Sequence, residues 1–336
     1  MTLLIAQGLT QRGHRVVIAS IDSADARSFY PWPVSVRWEK IPIGDSKFKA
    51  TTRERVSRAM ILRKIVKSHQ IDTVIGFQVG SFALLKLATL GMGLKVIAAE
   101  RNAPTLFRFI RRGAYKRFFS NLILLTSSKI AIQFSNYKLF YPWYLRSRIV
   151  ITPNPVIQPL KIKDANILQN GTWEFLFVGR LTFQKNLQVL IKALEHLDGS
   201  VHLTVIGEGP DFEDCQKLAV DLQVSVTFLP PTRELSIHYL NSNFLVLPSR
   251  WEGFPNVVAE ALSYGLPVIG YESCPGIPEL ITTGINGYVC PGIMNAKNLS
   301  DGISNAMKLS FNSTGISKTV SNYTVNNFID SWEKVL

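Results

Sequence analysis

From Val16 to Gly270, short apolar runs rich in β-branched residues alternate with amphipathic stretches of helical length. That alternation constrains the chain more than any other feature, because it suits parallel sheets covered on both faces by helices. In the first half the strands are expected at Val16–Ala19, Thr73–Phe77, Lys95–Ala99, Lys129–Gln133 and Arg148–Ile151. In the second half they fall at Glu174–Val178, His202–Ile206, Ser225–Leu229, Phe244–Leu247 and Pro267–Gly270. A chain of 336 residues exceeds what one hydrophobic core usually supports. The crossing Thr152-Pro153-Asn154-Pro155-Val156, with the polar stretch to Gly171, marks the boundary between two α/β domains. Two doubly wound domains facing each other would leave a cleft at the carboxyl ends of both sheets, where ligands bind in such folds.

The opening is unusual for such a domain. Met1 to Gln11 reads as a helix closed by Gly13 and leads into Val16–Ala19, so the strand and tight glycine turn that normally come first are expected to be missing.

Charge divides the chain. Residues 1–155 hold 25 Lys and Arg against 7 Asp and Glu, whereas the remainder holds 12 against 17. The first half is therefore suited to an anionic partner. Cys215, Cys274 and Cys290 fit neither a disulfide framework nor a metal motif, and no apolar run reaches the 18 residues of a membrane span. The start lacks a basic leader. These features predict a cytoplasmic protein that does not span a membrane.

The most informative segment runs from Leu247 to Gly270. A strand leads into Pro248-Ser249-Arg250-Trp251-Glu252-Gly253-Phe254-Pro255-Asn256, then the helix Val257–Leu262, then Gly265-Leu266-Pro267 and another strand. Pro255 suits a first helical position, and the free amides beyond it suit a diphosphate. Glu260, inside that helix, can accept from two ribose hydroxyls, and Glu252, before it, can accept from hydroxyls on whatever the diphosphate carries. Either carboxylate alone would pass for a cap or a solvated helix residue; as a pair around one helix start they describe a nucleotide sugar. Phe175 to Asn186 likewise ends a strand and opens a helix, putting Gly179, Arg180 and Lys185 where two cations could neutralise a leaving diphosphate without a metal.

Together these segments resemble the family 4 retaining glycosyltransferases of the GT-B fold. The Gly-Arg-Leu-x-x-x-Lys pattern, Gly179 to Lys185, and the Glu-x7-Glu pattern, Glu252 and Glu260, carry the resemblance. It implies that Arg180, Lys185 and Glu252 are catalytic. It also implies that Gly179, Arg180, Lys185, Glu252, Gly253, Phe254, Pro255, Asn256, Val257 and Glu260 bind the donor. Pro153–Val156, Gly207-Glu208-Gly209-Pro210 and Gly284-Ile285-Asn286-Gly287 extend the likeness to a last helix near Tyr323–Leu336. The implied organisation is an acceptor-side domain over 1–155, a donor domain over 156–320 and a helix over 321–336 returning to the first domain. The family transfers a sugar, most often from UDP, with retention of configuration. No cofactor is implied, and with no Asp-x-Asp in the sequence and His14, His69, His196, His202 and His238 isolated, no metal is expected.

Departures from the family pattern fall at Pro230-Pro231, where relatives place glycine, and at Glu100-Arg101-Asn102-Ala103-Pro104, where many relatives carry a histidine. The latter version resembles the subgroup that builds capsule, O-antigen and other surface polysaccharides, and makes Glu100, Arg101 and Asn102 acceptor-side candidates.

Arg101 to Arg117 mixes six cations with Leu106, Phe107, Phe109, Ile110 and Tyr115, followed by Phe118 and Phe119. Lys47, Lys49, Arg53, Arg55, Arg58, Arg63, Lys64 and Lys67 form a second cluster. Cations beside aromatics suit an anionic membrane. The implied partners are a nucleotide-sugar donor, a lipid-linked saccharide acceptor and the inner face of the cytoplasmic membrane. Nucleic acid would match the charge, yet no nucleic-acid motif is present. Epimerases and phosphorylases share the GT-B architecture without this glutamate pair, and a donor-binding remnant without catalytic activity is the alternative.

Overall fold

The computed structural model describes residues 1–28, 30–44, 50–164, 171–197 and 199–336. The chain divides into two compact units, one of Met1–Asn154 with Asn326–Leu336 and the other of Pro155–Val325. Among the described residues, no helix is long and apolar enough to cross a membrane.

The first unit opens with α1 (Thr2–Gln11), which buries Ile5, Ala6 and Leu9 and ends before Gly13 at φ 91°. β1 (Val17–Ser20) pairs in parallel with β2 (Arg37–Lys40) as a separate two-stranded sheet. The sequence reading missed β2, because Arg-Trp-Glu-Lys offers no apolar run. α2 (Thr52–Ser68) starts from a capping box in which Thr51 and Glu54 each accept the other's backbone amide. β3 (Thr73–Phe77), α3 (Gln78–Ala88), β4 (Lys95–Ala99), α4 (Gly113–Leu124), β5 (Lys129–Ile132), α5 (Trp143–Arg146) and β6 (Ile149–Ile151) follow. Strands β3 to β6 form a four-stranded parallel sheet in sequence order. Val96–Ala99 and Ile130–Ile132 are almost wholly buried, as expected of parallel strands covered on both faces.

The second unit contains β7 (Trp173–Val178), α6 (Leu187–Leu194), β8 (Val201–Ile206), α7 (Phe212–Asp221), β9 (Val226–Leu229), α8 (Ser236–Asn241), β10 (Phe244–Leu247), α9 (Asn256–Ser263), β11 (Val268–Tyr271), β12 (Gly287–Cys290), α10 (Ala296–Met307) and α11 (Ser313–Lys318). All six strands are parallel, in the order β12-β11-β10-β7-β8-β9. Starting from β7 and counting outward, this is the doubly wound Rossmann order, in which the winding reverses between β7 and β10. Phe175, Phe177, Leu190, Leu203, Phe244, Ile269 and Ile303 lie at the heart of its core. β12 also escaped the sequence reading, since a four-residue strand opening with glycine has no strand signature.

The helix α12 (Val325–Glu333) closes the chain, with Phe328, Ile329 and Trp332 buried. Within the first unit it lies so close to α1 that a Cβ on Gly8 would meet the Ile329 side chain at 2.3 Å. Arg12 bonds both Asp330, at 2.5 Å, and Glu333.

Candidate functional site

The winding reverses between β7 and β10, and two loops meet at the carboxyl ends of these two strands. The first carries Gly179 to Asn186 and the second Pro248 to Pro255. They are stitched together by backbone and side chains alike. The Arg250 amide donates to the Gln184 carbonyl at 2.9 Å, and Gln184 Nε2 donates to the Trp251 carbonyl at 2.8 Å. Asn186, buried and left-handed at φ 57° just before α6, donates to the Pro248 carbonyl at 3.2 Å and accepts from Arg250 Nη2 at 2.8 Å. The Arg250 guanidinium also stacks on the Phe183 ring, 4.2 Å from its centroid.

A third loop abuts the first. Leu181 donates to the Glu208 carbonyl at 2.8 Å, and Gly207 comes so near that a Cβ there would lie 2.0 Å from the Gly179 carbonyl oxygen. The Gly207-Glu208-Gly209 segment is therefore required for loop packing, a role its spacing alone did not reveal.

Across the loop pair, Lys185 Nζ donates to Glu252 Oε1 at 2.7 Å, and both side chains are largely withdrawn from solvent. Arg180 is exposed at the carboxyl end of β7 and joins no ion pair among the described residues. Pro255 is not the first residue of α9, as its missing N–H had suggested, but the capping residue before it. Its ψ of 83° turns the chain, and its carbonyl accepts from Val258 and Ala259. The first intrahelical bonds thus begin at Val258, leaving the start of α9 at Asn256 and Val257 as an anion-suited end.

Glu260 sits on α9 and accepts from the Tyr239 hydroxyl on α8 at 3.1 Å. Burial raises its proton affinity above the carboxylate norm, and the tyrosine bond opposes that rise. Tyr239 escaped the sequence reading because the two residues belong to different helices. Arg250, Gln184 and Asn186 escaped for a similar reason: their role lies in joining two loops. Gly253 and Phe254 complete the turn between Glu252 and α9, with Phe254 buried against Tyr323 at 5.7 Å between centroids.

Of the acceptor-side candidates, all in the first unit, Arg101 is committed elsewhere. It donates to the Thr152 carbonyl and hydroxyl, both at 2.8 Å, and to Asn154, and lies 5.7 Å from the Trp332 ring centroid. Glu100 is buried after β4, and Asn102 is exposed.

The basic clusters are partly spent inside the unit. Arg58 donates to the Ile43 carbonyl, Arg63 to those of Ala88 and Leu90, and Arg117 to that of Phe140. Lys47 and Lys49 lie outside the described residues. By contrast Arg111, Arg112 and Lys116 are exposed, as are the large apolar side chains of α4: Tyr115 is 63% exposed, Phe118 61% and Leu122 51%. Among the described residues no group of three His, Cys, Asp or Glu could hold a metal ion. The three cysteines are free and buried.

Two parallel-sheet Rossmann-like units, the second with this loop pair over its reversal point, define a glycosyltransferase of the GT-B fold. The model of the family described as glycosyl transferases group 1 matches residues 160–320 of the chain. The chain is similar to an uncharacterized glycosyltransferase of Haemophilus influenzae, 28% identical over 82% of this chain and 79% of that protein. A lipopolysaccharide 1,6-galactosyltransferase of Salmonella typhimurium is 36% identical over 36% of each chain. Among solved structures, the apo lipopolysaccharide outer core galactosyltransferase WaaB superposes with a TM-score of 0.73, at 20% identity over 90% of this chain and 84% of that one. Anabaena HepE, solved with UDP and glucose, does so with a TM-score of 0.68, at 14% identity over 89% and 86%.

Proposed function

We propose that the second unit binds a UDP-sugar at the reversal between β7 and β10, and that the enzyme transfers the sugar, with retention of configuration, to a lipid-linked saccharide in surface-polysaccharide synthesis. The observation carrying this reading is the pair of stitched loops, which brings Gly179–Lys185 and Glu252–Glu260 together at one sheet edge.

In this reading the diphosphate sits at the start of α9, with Arg180 and Lys185 supplying the positive charge that offsets the leaving group. An ammonium has three donors, so Lys185 can hold Glu252 and a phosphate oxygen together. Glu252 is thereby oriented toward the hydroxyls of the transferred sugar, and Glu260 toward those of the ribose. The leaving diphosphate itself assists the incoming hydroxyl. The solved complex of HepE with UDP supports the choice of nucleotide, and the name of the Salmonella relative supports a lipopolysaccharide-type acceptor. The exposed aromatics and cations of α4 and the preceding turn support action at an anionic membrane surface, where each cation contributes about 1 kcal/mol.

A thermal-shift titration with UDP, GDP, ADP and their sugar conjugates tests the donor assignment. Stabilisation by uridine nucleotides is expected. Glu260→Ala should weaken that binding, whereas Arg180→Ala and Lys185→Ala should mainly slow transfer. Unchanged kinetics in all three variants would overturn the site, and nucleotide binding without turnover would select a donor-binding remnant.

A further inference from the structure

Beyond the carboxyl ends of β3 and β4, the first unit holds a half-open cavity of about 200 Å³, whose walls include Gln78, Val79, Glu100, Asn102, Phe107 and Arg117. Glu100 is only 7% exposed, and its Oε1 has no hydrogen-bond partner among the described residues. The Val79 amide, in the first turn of α3, bonds the same carboxylate. Arg117 reaches the cavity from α4. Its guanidinium is held between the rings of Tyr141 and Phe107, 4.4 and 5.3 Å from their centroids, and donates to the Phe140 carbonyl at 2.9 Å.

Glu100 and Arg117 therefore line one half-open cavity, yet no ion pair within 4.0 Å joins them among the described residues. A buried carboxylate oxygen without a donor is costly, and a ligand that donates to Glu100 while accepting from Arg117 would satisfy both. An anion fits poorly, because the carboxylate already occupies the amide end of α3. A cation would meet Arg117. A neutral polyol, which donates and accepts through each hydroxyl, suits both groups, and the volume matches about six or seven water molecules at ~30 Å³ each, the scale of one sugar ring.

We propose that this cavity is a saccharide subsite of the acceptor, in which Glu100 accepts from ring hydroxyls, Asn102 and Arg117 donate to ring or hydroxyl oxygens, and Phe107 provides an apolar wall. The assignment rests on the glycosyltransferase reading above and deepens its acceptor side. It also separates neighbours in sequence: Glu100 and Asn102 meet the sugar, while Arg101 braces Thr152 and Asn154.

Saturation-transfer NMR on the full chain tests the proposal, with methyl α-D-galactopyranoside, methyl α-D-glucopyranoside and methyl N-acetyl-α-D-galactosaminide as acceptor probes and UDP as a separate donor probe. At least one glycoside should saturate, with affinity falling at least fivefold in Glu100→Gln and in the exposed-site variant Asn102→Ala, and UDP binding should be unchanged in both. Equal glycoside affinity in the wild type and both variants would overturn the proposal. So would the absence of glycoside saturation while UDP still binds, an outcome that leaves the donor reading intact. Loss of the UDP signal alone, with glycoside binding still sensitive to Glu100, would overturn the donor assignment and uphold the cavity.

Discussion

Lys185 Nζ lies 2.7 Å from Glu252 Oε1, although 67 residues separate them in the chain, and the pair clamps one loop of the second unit to the other. Both side chains are mostly shielded, so breaking the pair from one side strands a charge. Lys185→Ala is expected to cost about 3 kcal/mol of stability, and the double variant Lys185→Ala with Glu252→Ala less than the sum of the two singles. Urea denaturation of the three variants measures the coupling; strictly additive losses would show that the contact contributes nothing.

In the proposed role Glu260 accepts from two ribose hydroxyls, which the ionised carboxylate does more strongly than the neutral acid. Burial raises its folded-state proton affinity, so the native protein holds that proton to higher pH than the unfolded chain does. UDP affinity should therefore increase as pH rises through the range where Glu260 ionises. Tyr239→Phe removes the bond that favours the anion, shifts this rise to higher pH and weakens binding by about fivefold near neutrality, in line with about 1 kcal/mol for one hydrogen bond. Dissociation constants measured from pH 5 to 8 check this, with Glu260→Gln expected to be flat.

Glu100 titrates at about 7 rather than 4.5 because its carboxylate is desolvated. The folded state then binds the proton more tightly than the unfolded state. Its contribution to stability is greatest below pH 4.5, falls as pH rises to 7 and is level above that, an effect of about 3 kcal/mol at most. Glu100→Gln should abolish this slope and exceed the wild type in stability above pH 7. Urea midpoints across that window decide it.

Gly207 packs directly against the Gly179 backbone, joining two loops of the second unit. A methyl group there would sit 2.0 Å from the Gly179 carbonyl oxygen, and the residue has φ 153°. Gly207→Ala should cost about 3 kcal/mol through overpacking and backbone strain and should reduce UDP-induced stabilisation by displacing the Gly179–Lys185 loop. Wild-type values for both would contradict this account.

The exposed face of α4 offers a separate test. Replacing Phe118 and Leu122 together by serine should leave thermal stability within about 0.5 kcal/mol, because neither side chain is buried. Co-sedimentation with phosphatidylglycerol vesicles should nevertheless fall severalfold, and unaltered sedimentation would move the membrane contact elsewhere.

Much of this protein is legible in its sequence because the signals are local. Apolar β-branched runs mark most strands to within one residue at each end, since parallel strands buried on both faces tolerate little else. Strand–loop–helix spacing singles out Arg180, Lys185, Glu252 and Glu260 because a helix start and its flanking carboxylates lie within one short segment. β2 and β12 escaped, one being polar and the other opening with glycine, and both form only by pairing with a neighbour.

What only the tertiary structure decided are relationships between distant segments. Strand order places the β7 and β10 loops side by side; no periodicity encodes that, because it follows from which strands exchange hydrogen bonds. The pairing of Glu260 with Tyr239, the diversion of Arg101 to Thr152 and Asn154, and the opening of Glu100 toward Arg117 likewise depend on how helices and loops converge on a sheet edge. The sequence alone determined which chemistry the chain carries, because residue types and short spacings are local properties. Which groups satisfy one another and which remain available to a ligand was decided by packing, because a buried polar group's partner is set by proximity in space.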